Sequence, residues 1–65
     1  MNDLMGFTVG ETVWFKYHTG RIMTGIIASL SDKDKDGPVA TLLTQDMGFR
    51  TVLLSRCAKT KKGLK

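Results

Sequence analysis

The sequence predicts an all-β domain, a single small barrel of about five short strands with a 3₁₀ turn before the last strand. Three observations support this fold class. Short stretches of alternating apolar and polar residues recur along the chain, separated by glycine-containing turn sequences. Helix signals are poor, since the one helix-like stretch, residues 54–59, is too short to stand alone. Closure into a barrel suits a chain of 65 residues because it removes exposed sheet edges.

The first half of the domain is predicted as two strands joined by a short glycine-containing turn. Residues 11–17 form the first strand, and its period of two places Val13 and Phe15 inward. Residues 21–30 form a longer strand. The members of this strand that share one side are Ile22, Ile26, Ala28 and Leu30. Gly25 interrupts the pattern and predicts a bulge or bend, which would let the strand serve two sheets.

The second half is predicted as a hairpin followed by a short final strand. Residues 39–44 and 49–54 form the two strands of the hairpin, joined by a tight turn. Two registers remain open, in which the facing pairs are Leu43 with Phe49, or Leu42 with Val52. A 3₁₀ turn at residues 55–57 and a last strand at 58–60 follow. The outer edge of the 39–44 strand would suit a weak dimer, although the sequence is equally compatible with a monomer.

The basic charge is concentrated at the C-terminus. We divide the chain into an N-terminal segment (1–6), the barrel (7–60) and a basic, flexible tail (61–65). Residues 1–55 hold five cations and six acids, a balance of −1, within a total of +4. The last ten residues hold five cations and no acid: Arg56, Lys59, Lys61, Lys62 and Lys65. Such an end favours a polyanion, most often nucleic acid; the alternative is a solubilising, disordered end.

Cysteine and histidine usage argues against several functional classes. One cysteine, Cys57, and one histidine, His18, allow neither an intrachain disulfide nor a zinc cluster, and we expect a reducing cytoplasm. No apolar run approaches the length of about 20 residues that spans a bilayer, and the N-terminus lacks a signal-peptide pattern. His18 lies in a predicted exposed turn far from Cys57, so no activated nucleophile is apparent. We expect no enzymatic activity, no cofactor and no membrane partner.

The aspartate-rich stretch at residues 32–37 resembles the first half of an EF-hand calcium loop. Asp32, Asp34 and Asp36 occupy the first, third and fifth places of such a loop, and a glycine follows. The twelfth place, which requires a bidentate glutamate, is Leu43, and both flanks have strand patterns rather than helix patterns. We therefore interpret the stretch as a solvated connector between two strands, with no metal site.

The opening of the chain resembles SH3-like small barrels of the Tudor and KOW kind. The resemblance lies in Phe7-x-Val9-Gly10-Glu11-x-Val13-x-Phe15, then Gly20-Arg21, then Gly25-Ile26-Ile27. It covers residues 7–30, and beyond them it depends on strand spacing and on a 3₁₀ turn near the exit of the barrel. The resemblance implies an SH3-like barrel that binds either nucleic acid or protein. A methyl-reading aromatic cage would need Trp14, Tyr17 and Phe49 to converge, which strand parity opposes.

We predict that the protein binds nucleic acid with little sequence specificity. Trp14 lies on the outward side of its strand beside Lys16 and His18, so that a base can stack while cations neutralise phosphates. The alternative for Trp14 is that it covers the end of the barrel. The predicted binding residues are Trp14, Lys16, Tyr17, Arg21, Arg50, Arg56, Lys59, Lys61 and Lys62. The alternative function is a protein-interaction module, an accessory regulator that docks on a larger machine.

Overall fold

The computed structural model of the protein describes residues 2–17, 19–45 and 48–63. The described chain is all-β. Its strands are β1 (Asp3–Leu4), β2 (Phe7–Thr8), β3 (Thr12–Lys16), β4 (Ile22–Ser31), β5 (Val39–Thr44), β6 (Gly48–Leu53) and β7 (Cys57–Ala58). Two 3₁₀ turns, Leu54–Arg56 and Lys61–Gly63, complete it. The described residues contain no helix with the length and apolarity that a membrane crossing requires.

Five strands form one antiparallel sheet in the order β6-β5-β4-β3-β7. Strands β3 to β6 pair in chain order, and β7 returns to pair with β3 after the first 3₁₀ turn. Strands β6 and β7 are the two edges, and no ladder joins them in the described part of the chain. The predicted closure into a barrel is therefore not confirmed. The prediction of an open edge at residues 39–44 is wrong, because β6 covers β5 on that side.

The hydrophobic core lies on one side of this sheet, which we call the inner face. Strand β3 contributes Val13 and Phe15, both almost fully buried, as their inward parity predicts. The first 3₁₀ turn contributes Leu54, which is likewise buried. The other buried apolar residues are Phe7, Ile27, Leu30, Ala40 and Leu42. Side chains on the opposite side of the sheet define the outer face.

The prediction that Ile22, Ile26, Ala28 and Leu30 share one side of β4 is wrong. Ile26 and Ala28 are exposed, whereas Ile27 and Leu30 are buried. The reason is a bulge: the register with β5 shifts between Ile27 and Ser29, which inserts one residue and reverses the alternation. The bulge does not lie at Gly25, which keeps its place in the ladder with β3. The two halves of β4 serve two different partner strands, β3 and β5, within one sheet.

The predicted bounds of the later elements agree with the structure to within two residues. Of the two open registers, the one that pairs Leu43 with Phe49 is confirmed. The first 3₁₀ turn starts one residue earlier than predicted, and the last strand, predicted at 58–60, is β7 instead. His18 and residues 46–47, which belong to predicted turns, lie outside the described residues.

The turn before β3 explains why the Val9-Gly10-Glu11 sequence starts the sheet. Gly10 has a φ of 93°, which favours glycine, and its N–H donates to the carbonyl of Ile27 at 2.8 Å. The carboxylate of Glu11 accepts a hydrogen bond from the Thr8 N–H at 3.0 Å and forms an ion pair with Lys59 at 3.5 Å. The turn is therefore tied to β4 and to the residue that follows β7.

The aspartate-rich stretch is a connector between β4 and β5, as predicted. The Asp34 carboxylate accepts a hydrogen bond from the Asp36 N–H at 2.9 Å, and the Asp34 carbonyl accepts one from the Gly37 N–H at 3.1 Å. Gly37 adopts a φ of 115°. Asp34 thus organises the turn through local hydrogen bonds.

Candidate nucleic-acid interface

The aromatic residues in and directly after β3 lie on opposite faces of the sheet. Phe15 and Tyr17 lie on the inner side, where their rings meet edge to face at 5.3 Å. Trp14 lies on the outer side, opposite Thr24 of β4 and Ala58 of β7. Four of the cations predicted as one surface are likewise divided between two pockets.

The first concavity, the Trp14 pocket, has a volume of about 250 Å³ and lies on the outer face. Its lining residues are Trp14, Arg21, Ile22, Met23, Thr24 and Gln45. The ammonium group of Lys61 lies 5.9 Å from the centre of the Trp14 ring, within cation–π range. The structure therefore brings Lys61, which is distant in sequence, to the ring of Trp14, whose pocket Arg21 also lines.

The second concavity, which we call the seam pocket, lies between the end of β3 and the edge strand β6. Its volume is also about 250 Å³. It is lined by Phe15, Lys16, Tyr17, residues 50–53 and Arg56. It thus contains three further predicted cations, Lys16, Arg50 and Arg56, together with Tyr17.

Arg50 lies on the inner face, rather than beside Trp14 as the predicted aromatic and basic surface requires. Its cross-strand partner is the buried Leu42, and residues paired directly across a sheet share one side. The Arg50 guanidinium lies over the Tyr17 ring, 4.7 Å from the ring centre. The Nε atom of Arg50 is buried and has no hydrogen-bond acceptor among the described residues.

Two further predicted cations lie outside both pockets. Lys59 forms an ion pair with Glu11, and its ammonium group lies 5.7 Å from the centre of the Phe7 ring. These contacts assign Lys59 to the packing of the N-terminal turn. Lys62 is exposed in the second 3₁₀ turn, beside Lys61.

The three aromatic residues of the cage hypothesis do not converge. Tyr17 lies on the inner side under Arg50, whereas Trp14 lies on the outer side beside Lys61. Phe49, which is 66% exposed, pairs with Leu43 in β5, and Leu43 pairs in turn with Ile26 in β4. The structure therefore places Phe49 in an exposed apolar row across the outer face.

The single cysteine lies in β7, opposite Phe15 of β3. Its thiol donates a long hydrogen bond to the Leu53 carbonyl, at 3.5 Å. Burial raises the pKa of the Cys57 thiol from an ordinary value of 9.0 to about 11. A thiol in this environment stays protonated near neutral pH and is a poor nucleophile.

The predicted binding residues include only part of each pocket lining, and the sequence did not predict their division between two pockets. The separation of Trp14 from Tyr17, which parity predicted, is confirmed. The contacts of Arg50 with Tyr17 and of Lys61 with Trp14 join segments that are distant in sequence, and no local pattern predicts them. Comparison with protein-family models, with curated proteins and with solved structures found no match for the chain.

Proposed function

We propose that the protein binds nucleic acid, with little sequence specificity, through the Trp14 pocket and the cations around it. One observation supports this most directly: Trp14 and Arg21 line one concavity, and the Lys61 ammonium group lies 5.9 Å from the centre of the Trp14 ring. Any of the bases can stack on an aromatic ring, whatever the nucleic-acid sequence, while nearby cations neutralise the flanking phosphates. Among the described residues, no acid lines this pocket.

An SH3-like fold belongs to the same proposal. Its support is the strand order, in which the last strand returns to pair with β3 after a 3₁₀ turn. A long β4 that pairs with β3 in its first half and β5 in its second half is further support. In this arrangement the barrel would close between its two edge strands, β6 and β7.

The proposal is tested by titrating labelled single- and double-stranded DNA and RNA at low and moderate salt. We expect salt-sensitive binding to at least one of them. Trp14→Ala should weaken binding by about 1–3 kcal/mol, the usual loss for one stacked base. Arg21→Gln should weaken it less, and Lys35→Gln, which removes an equal charge from the β4–β5 connector, should have no effect. If none of the probes shows salt-sensitive binding, the proposal is excluded.

The contribution of the basic end is measured with a chain that stops after Thr60. This truncation removes Lys61, Lys62 and Lys65 but keeps the Lys59–Glu11 ion pair. Each lost phosphate contact should reduce the slope of log affinity against log salt by about 0.7–0.9. An unchanged slope would show that these lysines contribute solubility and no binding.

The second candidate function, docking on a larger protein, is favoured by the exposed apolar row. Ile26, Leu43 and Phe49 are 47%, 45% and 66% exposed. Ile26 of β4 pairs across the sheet with Leu43 of β5, which pairs in turn with Phe49 of β6. Exposed apolar groups that adjoin one another are typical of interaction surfaces. A nuclease-treated pull-down that returns one stoichiometric protein, lost with Phe49→Ser and kept with Trp14→Ala, would favour this function over nucleic-acid binding.

A further inference from the structure

The seam pocket gathers positive charge from three separate elements. Lys16 comes from the end of β3, Arg50 from the edge strand β6, and Arg56 from the first 3₁₀ turn. Among the described residues, none that lines the pocket is acidic, and neither arginine forms an ion pair. The two arginines make the electrostatic potential of this concavity of about 250 Å³ positive, which a bound anion would relieve.

Arg50 is held in place before any ligand arrives. Its guanidinium lies over the Tyr17 ring, and Tyr17 is itself packed edge to face against the buried Phe15. A planar guanidinium fixed in this way presents its N–H donors in set directions, so little conformational freedom is lost on binding.

The buried Nε of Arg50 has no acceptor among the described residues, which is unusual for a buried donor. The protein therefore positions this guanidinium while its Nε–H lacks an acceptor among the described residues. The Tyr17 stack stabilises the arginine, but it uses the face of the guanidinium and not the edge that bears the donors.

We propose that the seam pocket is a phosphate-binding site. In it the Arg50 guanidinium donates hydrogen bonds to phosphate oxygens, and Lys16 and Arg56 neutralise the remaining charge. A phosphate group fits this set better than a carboxylate, because it offers more acceptor oxygens and up to two negative charges for three cations. The site is separate from the Trp14 pocket, so it does not depend on the proposed nucleic-acid binding at that pocket.

The direct test is an NMR titration with inorganic phosphate, with chloride at matched ionic strength as the reference. We expect saturable shifts of the Arg50 Nε–Hε signal and of the amides of residues 15–17 and 50–53. Arg56→Gln and Lys16→Gln should each weaken phosphate binding roughly two- to fivefold. Lys35→Gln is the matched control and should leave the affinity unchanged.

Arg50→Lys keeps the charge but removes the planar fork, and it should weaken phosphate binding about tenfold. Arg50 also packs on Tyr17, so this substitution can disturb folding. In that case the variants of the exposed Lys16 and Arg56 decide. Shifts that do not saturate and that spread equally over Lys33, Lys35 and Lys62 would overturn the proposal. An unmoved Arg50 signal would also overturn it.

A second set of titrations identifies the source of the phosphate group. A nucleoside monophosphate and an oligonucleotide, with and without a 5′-phosphate, are compared for shifts at Arg50. Shifts with all the oligonucleotides indicate a backbone phosphate, and shifts that need the 5′-phosphate indicate a terminal one. If inorganic phosphate saturates the seam pocket while no oligonucleotide binds, the seam site stands and the proposed nucleic-acid function fails. If oligonucleotides bind at Trp14 while inorganic phosphate leaves the Arg50 signal unmoved, the nucleic-acid function stands and the seam site fails.

Discussion

The inner and outer faces of the sheet hold similar residues in different ways. On the inner face, Arg50 is stacked on Tyr17 at 4.7 Å and its Nε is buried. On the outer face, the exposed Lys61 approaches Trp14 at 5.9 Å from a terminal 3₁₀ turn. Both are cation–aromatic pairs. The difference indicates that the inner pair belongs to the packing of the domain, whereas the outer pair can separate and leave Trp14 to a ligand.

The largest expected effect comes from adjacent residues of β4 that lie on the two faces. A methyl group at Gly25 would approach Leu42 Cβ to 3.0 Å and the Leu43 carbonyl oxygen to 3.4 Å. We expect Gly25→Ala to lower the free energy of unfolding by about 1–3 kcal/mol, because Leu42 is fully buried and cannot move away. Urea denaturation measures this loss.

The matched control is Thr24→Ala on the outer face. Thr24 is exposed, and its loss should lower the free energy of unfolding by less than about 1 kcal/mol. If Thr24→Ala destabilises the protein as much as Gly25→Ala does, the close packing of β4 against β5 at the inner face is not the reason for the glycine.

The next effect is the coupling within each cation–aromatic pair, measured by double-mutant cycles. We expect about 1–2 kcal/mol between Arg50 and Tyr17, since that pair is partly desolvated. The exposed pair of Lys61 and Trp14 should couple by about 0.5 kcal/mol or less. The cycles use Arg50→Met with Tyr17→Leu, and Lys61→Met with Trp14→Leu. Equal couplings would remove the distinction between the two faces.

The sequence predicted what depends on local alternation and missed what depends on contacts across the sheet. The inward side of β3 follows directly from its period of two, so Val13 and Phe15 were predicted correctly. In β4 a single bulge residue reverses the alternation, and the sequence gives no sign that it lies after Ile27 rather than at Gly25. Either of the two open registers between β5 and β6 pairs Arg50 with a residue on the buried side of β5, so its inner placement was open to prediction. Its contact with Tyr17 was not, because it joins strands that are not neighbours in the sheet.

A smaller effect is expected where Glu11 joins the N-terminal turn to Lys59. Glu11→Gln removes the ion pair and weakens the acceptor for the Thr8 N–H, and it should lower the free energy of unfolding by about 1 kcal/mol or less. It also frees the charge of Lys59, so the salt slope of oligonucleotide binding should steepen. Asp3→Asn is the control for a lost acid. An equal change of slope in both variants would show that only net charge matters.

The smallest effect concerns Cys57 and appears only at high pH. Burial raises the pKa of its thiol to about 11, above the 9.0 expected in the unfolded chain. Between these values the unfolded chain releases the proton first, so the folded state binds more protons and stability falls as pH rises. The contribution is fully present below pH 9.0 and is lost as the pH passes about 11.

The measurement that isolates this effect compares the native protein with Cys57→Ala across that window. All other titratable groups are the same in both proteins, so their contribution cancels in the difference between the two unfolding free energies. We expect the native protein to lose more stability than Cys57→Ala between pH 9 and 11. Alkylation of Cys57 near neutral pH should be slow in the folded protein and fast in urea. Rapid alkylation without urea would mean that the inner face is open to solvent at Cys57. The difference between a buried inner face and an exposed outer face would then not extend to β7.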